Sequence, residues 1–250
     1  MLVQGTDGQS VALIRSNRRT LGAGTAPGLG NHEGQPAKYI DLPLFSSDQR
    51  SEIHLGLYKI SELLSLITID TNGTVLSAVP DNAKVLIGQN IADQEAISHV
   101  LSTRQPILSK YFTLRQGGEG VAMVYPVFSP DGEFLGAVSM AFSPSILASR
   151  YAEELERWAP FTYAVAQTDG VLLYHSNPAL SGKQAFDEPL FKQFPELLDF
   201  VRRSDTERTG YATFSFYKEG STEIVPKETF WDTVYLYDNE WRVFVNADRE

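Results

Sequence analysis

From residue 51 onward the apolar positions fall into short periodic runs separated by turn chemistry. Ile53, Leu57, Ile60 and Leu64 recur at helical spacing, which predicts a helix. "SLITID" then reads as a strand, and "DTNG" as a tight turn into "TVLSAVP", together a hairpin. "DQEAISHVLSTRQ" carries Ala96, Ile97, Val100 and Leu101 on one helical face, with Asp93 as the expected N-cap. Three strand-like runs follow, "PILSKYFTLR", "GVAMVYPVF" and "EFLGAVSMAF", the last two joined by the turn "SPDG". In "SPSILASRYAEELERWAP", Ser143 can cap, Pro144 suits the first turn and Pro160 ends the run. Leu147, Tyr151, Leu155 and Trp158 are expected to line one face of this connecting helix.

The same order then recurs. "FTYAVAQ" and "VLLYHSN" flank the turn "TDG"; "EPLFKQFPELLDFVRRSD" reads as a helix in two pieces, because Pro195 interrupts it; "GYATFSFYK", "KETFWDTVYLY" and "EWRVFVNA" read as strands. Gly73 aligns with Gly170 and Gly88 lies near the place of Gly182, while Met123–Phe134 overlays Phe230–Trp241 without a gap. Two matching blocks in one order point to an internal duplication. Each copy would be a five-stranded antiparallel sheet with helices packed on it, an α+β module of about 100 residues. The expected division is a Gly/Pro-rich loop segment over 1–48, a first module over 49–142, the connecting helix over 143–160 and a second module over 161–250.

Composition removes several function classes. The 250 residues are 42% hydrophobic, enough for a packed core, and carry 21 basic against 31 acidic side chains, a net charge of −10. That balance disfavours nucleic acid and anionic membrane surfaces as partners. The absence of cysteine excludes disulfides, thiolate metal sites and cysteine nucleophiles. The longest apolar run, Leu63–Ile69, is too short to span a bilayer, and no secretory signal follows Met1, so any anchor or export signal is expected outside this chain. Gly22, Gly24 and Gly28 do not form a dinucleotide-binding loop, and no cofactor is expected. The four histidines, at 32, 54, 99 and 175, have no metal-ligand spacing, no G-x-S-x-G elbow occurs, and no catalytic acid/base pair can be nominated. The expectation is therefore not an enzyme, with no catalytic and no metal-binding residues.

The ordered set "IDTNGTVLSAVP…IGQNI…AISHVLSTRQPILSKYF…VAMVYPVFSPDGEFLGAVSMAF" resembles a Cache domain, the extracytoplasmic PAS-like sensor module. "VAQTDGVLLYHSNPALSGK…KETFWDTVYLYDNEWRVFV" resembles the second module of double-Cache proteins, so the resemblance covers residues 50–250. It implies two PAS/profilin-like modules forming an extracytoplasmic, periplasmic or cell-surface, small-molecule sensor of a histidine kinase, chemoreceptor or anchored stand-alone protein. The implied partners are a small organic ligand (carboxylate, amino acid or amine), a second copy in a homodimer, and the membrane only through an anchor outside this chain. The Tyr/Arg/Trp/Asp set of the amino-acid-sensing members is not intact here. The other classes are a structural or dimerisation module that binds nothing and, with less support, a hydrolytic enzyme.

A sensor pocket of this kind is largely apolar with a few convergent polar groups. In the first module the candidates are Tyr111 and Arg115, four apart on one expected strand and so on one face, with Met123 and Tyr125 on the next strand. Arg115 could hold a carboxylate in bidentate fashion. In the second module Lys227, Trp231 and Tyr235 share one face of a strand, and Phe230, Asp232 and Val234 the other. If Asp232 faces the pocket, a ligand amine is favoured; if Lys227 and Trp231 do, an anion or a stacked cation. Tyr174 and His175 must point to opposite faces of theirs.

Overall fold

The computed structural model describes residues 63–156 and 161–249. The segment 1–48, Ile53, Leu57, Ile60 and Trp158 lie outside them. Leu64, expected to close the first helix, belongs instead to a strand.

The first half contains β1 (Leu63–Ile69), β2 (Val75–Val79), α1 (Glu95–Thr103), β3 (Ile107–Leu108), β4 (Phe112–Thr113), β5 (Glu119–Phe128) and β6 (Phe134–Phe142). The second contains α2 (Pro144–Glu156), β7 (Thr162–Gln167), β8 (Leu172–His175), α3 (Pro189–Lys192), α4 (Pro195–Thr206), β9 (Gly210–Tyr217), β10 (Ile224–Leu236) and β11 (Asn239–Asp248). The sheets run β2–β1–β6–β5–β3, with β4 also on β5, and β8–β7–β11–β10–β9. The described pairings are antiparallel and the strand order is the same in both.

The duplication extends to individual hydrogen bonds. After β1 the N–H of Asp70 donates to Thr74 O and that of Gly73 to Asp70 O; after β7, Gln167 donates to Val171 O and Gly170 to Gln167 O. Gly73 (φ +88°) and Gly170 (φ +85°) both take the left-handed conformation such a turn demands. The returning chain then donates from Gly88 N to Val75 O in one copy, and from Gly182 N to Leu172 O in the other. An amide side chain braces each turn to the crossover: Asn90 Nδ2 donates to Asn72 O, and Gln184 Nε2 to Asp169 O, both at 2.8 Å.

Four sequence expectations change. The run "PILSKYFTLR" is not one strand, because its polar groups bond elsewhere: the Ser109 hydroxyl accepts from Ala122 N at 2.8 Å and Tyr111 N–H donates to Gln167 Oε1 at 2.6 Å. The first sheet therefore has six strands instead of five. Gln94, not Asp93, occupies the N-cap position of α1 and makes no side-chain capping bond. In α2, Tyr151 and Leu155 are exposed while Pro144 and Ala152, eight residues apart and so on one face, are buried, and the helix packs on β8. The β10–β11 hairpin closes on Leu236 and Asn239, with two residues between them, whereas Ser129 bonds across three residues to Glu133. The ungapped alignment of these two hairpins thus slips by one residue at the turn.

Contacts divide the described chain into two compact units, 63–109 with 122–142, and 110–121 with 143–156 and 161–249.

Candidate ligand-binding site

The second sheet has two chemically distinct faces, defined by its register. Phe244 pairs with Trp231 and with Ala164, and Ala164 pairs with His175, so Trp231 and His175 share a face. Val243 pairs with Asp232 and with Val165, and Val165 with Tyr174, so Asp232 and Tyr174 share the other. Tyr174 and His175 do diverge, as alternation requires.

The Trp231 face is the core face. It packs beneath α3 and α4, with Phe191, Phe194, Phe200, Phe214 and Phe244 in one apolar cluster. The Trp231 indole stacks on Phe200 (centroids 6.3 Å apart, planes at 22°) and donates Nε1–H to Glu207 O at 2.9 Å. A Cβ on Gly210 would lie 2.0 Å from that ring, so the strand beneath the indole requires glycine. Trp231 is thus a core and clamping residue. Its face continues into a polar row: Lys227 (5% exposed) pairs with the Asp248 carboxylate, and Thr229 (0% exposed) has a hydroxyl with no partner.

His175 belongs to the same neighbourhood. Its Nδ1 accepts from Asn177 N at 2.9 Å, which places the ring proton on Nε2. Burial, and secondarily the nearby Lys227 ammonium, lower its pKa to about 4. The imidazole is therefore neutral at pH 7. A buried ammonium, an unsatisfied hydroxyl and a neutral imidazole are polar groups that can receive a carboxylate or a water molecule.

The remaining expected residues divide as follows. Asp232 is exposed on the opposite face, beside Phe230 (54% exposed), and its carboxylate bonds to Thr233 N at 2.7 Å. Tyr174 is buried on that face, on the strand against which α2 packs. Tyr235 is on the Trp231 side by alternation but 65% exposed, near the end of β10. In the first half, Met123 and Tyr125 are half-buried neighbours on one face of β5. Arg115 is exposed in the turn after β4, so the expected strand face shared with Tyr111 does not form. Tyr111 is half-buried; burial, and with it the Glu119 carboxylate, raise its pKa. Tyr111 and Arg115 fall in the compact unit of residues 143–249, Met123 and Tyr125 in the other.

Two residues escape a sequence reading. Thr229 is one of many strand threonines, and nothing local marks it. Arg242 reads as a surface strand residue, yet it is 1% exposed. Its guanidinium donates to Ser204 O at 2.6 Å, Asp205 O at 3.2 Å and Glu240 Oε2 at 2.9 Å, tying the end of α4 to β11. The available signal is its place inside the otherwise apolar run "WRVFV". Among the described residues, no group of His, Asp or Glu is placed to hold a metal ion, and no helix is long and apolar enough to cross a membrane.

The sequence matches none of the curated proteins. An extracellular ligand-binding receptor from Desulfohalobium retbaense is similar over 82% of this chain, with a TM-score of 0.62 and 23% identity; the chain spans only 34% of that receptor. The periplasmic sensory domain of the Campylobacter jejuni chemoreceptor Tlp1 is similar over 81% of this chain and 78% of its own, with a TM-score of 0.53 and 15% identity. The ligand-binding domain of the Pseudomonas aeruginosa amino-acid chemoreceptor PctB, solved with L-Arg, is similar over 80% and 73%, with a TM-score of 0.51 and 15% identity. Residues 33–144 match the family model of the HK/GC/chemotaxis protein-like sensor domain, and the fold of the chain is that of the PAS-like Cache sensors.

Proposed function

We propose that this protein is an extracytoplasmic small-molecule sensor domain of a signal-transduction protein, held to the membrane through an anchor outside this chain and working as a homodimer. The observation that carries the reading is the twofold β2–β1–β6–β5–β3 and β8–β7–β11–β10–β9 order, in a fold shared with extracellular and periplasmic sensory domains. The sensor-domain match over residues 33–144 supports it from the sequence side.

The ligand is a small organic carboxylate, amino acid or amine. In the second module the core-face residues His175, Lys227 and Thr229 are the set best suited to a carboxylate, because the Lys227 ammonium can exchange its exposed partner Asp248 for a ligand anion, Thr229 offers an unpartnered hydroxyl, and neutral imidazole does not repel the charge. In the first module Met123 and Tyr125 supply an apolar wall. Binding acts by favouring one of two arrangements of sheets, helices and dimer contacts.

The test is a thermal-shift panel of amino acids, carboxylates and amines on the full chain. A ligand that binds only the folded state raises Tm, by about 2.7 kcal/mol of stability at a hundred times Kd. Lys227→Met keeps an apolar stem in the buried position and is expected to lose the shift given by a carboxylate hit. A panel with no concentration-dependent shift overturns the sensor reading.

A further inference from the structure

Where α4 ends at Thr206, β10 and β11 run on past it and leave an open groove of about 470 Å³, lined by Arg208, Tyr235, Tyr237, Asp238 and Glu240. The groove is open to solvent, so it would cover only part of a bound molecule. None of the core-face row contributes to it. We propose that this groove is a second binding site, for a small organic cation carrying a primary or quaternary ammonium. The proposal gives the sensor reading a further ligand and rests on it for its biological sense.

Three features carry the assignment. The walls are preorganised. Arg208 sits on the connection between α4 and β9, which Thr233 Oγ1 pins by donating to Arg208 O at 2.6 Å and Trp231 pins by bonding to Glu207 O. Glu240 is fixed from behind by the buried Arg242 guanidinium, whose hydrogen bond is the largest cause holding its carboxyl below the usual range. Tyr235 stands directly opposite Glu240 in the β10–β11 register, which brings its ring beside that carboxylate.

The charges leave a place for a cation only by exchange. Asp238 and Glu240 stand against Arg208, paired with Glu240 Oε1, and the buried Arg242, which holds Glu240 Oε2 from behind, so an ammonium enters by displacing the exposed Arg208. That guanidinium occupies the place an ammonium would take, and it can swing away into water. Two tyrosine faces add the surface on which ammonium groups settle through cation–π attraction. The net charge of −10 attracts cations to the molecule as a whole.

The backbone at the mouth is strained. Tyr237 takes φ +53° at the first position of the two-residue hairpin loop, a conformation bulky residues rarely adopt. Glycine would fold there at lower cost. Tyrosine at that point instead sets an aromatic ring in the groove wall.

Calorimetric titration of the full chain with choline and with putrescine tests this, with sodium propionate as the anionic control. Saturable binding of at least one cation is expected, weakening as salt rises. Tyr235→Ala and Asp238→Asn, both at exposed positions, are each expected to weaken it at least tenfold. Arg208→Ala, which removes the competing guanidinium, is expected to tighten it severalfold. Lys227→Met should leave cation binding unchanged while abolishing any carboxylate response, which separates this site from the core-face row. The proposal is overturned if neither cation binds saturably, or if binding survives both Tyr235→Ala and Asp238→Asn. Should Tyr235→Ala lower the melting temperature by itself, Asp238→Asn decides. A carboxylate response without cation binding would leave the sensor reading standing and remove the groove.

Discussion

Three residues of the second module show how single positions set its behaviour. Thr229 is wholly buried with an unsatisfied hydroxyl, so Thr229→Val is expected to raise stability by about 1 kcal/mol in the absence of ligand, read by denaturant unfolding. Unchanged or lower stability would mean that the hydroxyl has a partner, such as a bound water. His175 titrates at about 4 in the folded state against about 6.5 unfolded. As pH falls below 6.5 the unfolded chain takes up this proton first, so stability declines progressively and levels off below pH 4. Full protection is present above pH 6.5, and the shift corresponds to at most roughly 3 kcal/mol. His175→Asn retains an acceptor for the Asn177 N–H and is expected to remove that part of the pH dependence. Gly210 lies under the Trp231 indole, and Gly210→Ala is expected to cost roughly 3 kcal/mol, because the ring cannot yield within its aromatic cluster. Calorimetric unfolding of the variant measures this directly.

At the scale of elements, local chemistry wrote the hairpins and distant contacts wrote the faces. Asn72-Gly73 and Asp169-Gly170 announce their turns because a positive φ needs glycine whatever surrounds it. Pro195 likewise marks the break between α3 and α4. The orientation of β10 was not legible, since Lys227/Trp231 and Phe230/Asp232 are equally plausible as inner faces. The seat of α4 over the Gly210–Trp231 contact decides it. The break in "PILSKYFTLR" was hidden for the same reason: the acceptor for Tyr111 N–H is Gln167, fifty-six positions away. Arg242 was hidden because its partners, the carbonyls of Ser204 and Asp205, belong to a helix end nearly forty residues earlier. This clamp is an element-level device, and Arg242→Ala is expected to cost about 3–5 kcal/mol by stranding Glu240 and two carbonyls. Arg242→Lys should recover little, because an ammonium cannot span three acceptors in the plane of a guanidinium. Equilibrium unfolding of the pair tests both statements.

For the whole molecule, duplication explains what is shared and what differs. The turn, the glycine-led crossover and the bracing amide are common scaffold, repeated bond for bond at 70–91 and 167–185. Tyr174 and His175 stand where the first copy has Ser77 and Ala78, so the two sheets present different chemistry from one plan. The second copy alone carries the buried Lys227, Thr229 and neutral His175 at these places, and its core-face row is the more polar candidate site. The function proposed for this repeated scaffold is to bind a small molecule. Isothermal titration of the full chain with the strongest hit from the thermal-shift panel tests it most directly. A saturable isotherm with a defined stoichiometry, and a Kd that accounts for the concentration dependence of Tm, is the expected result. Thermal shifts without saturable heat at any temperature, or no hit among amino acids, carboxylates and amines, would contradict it.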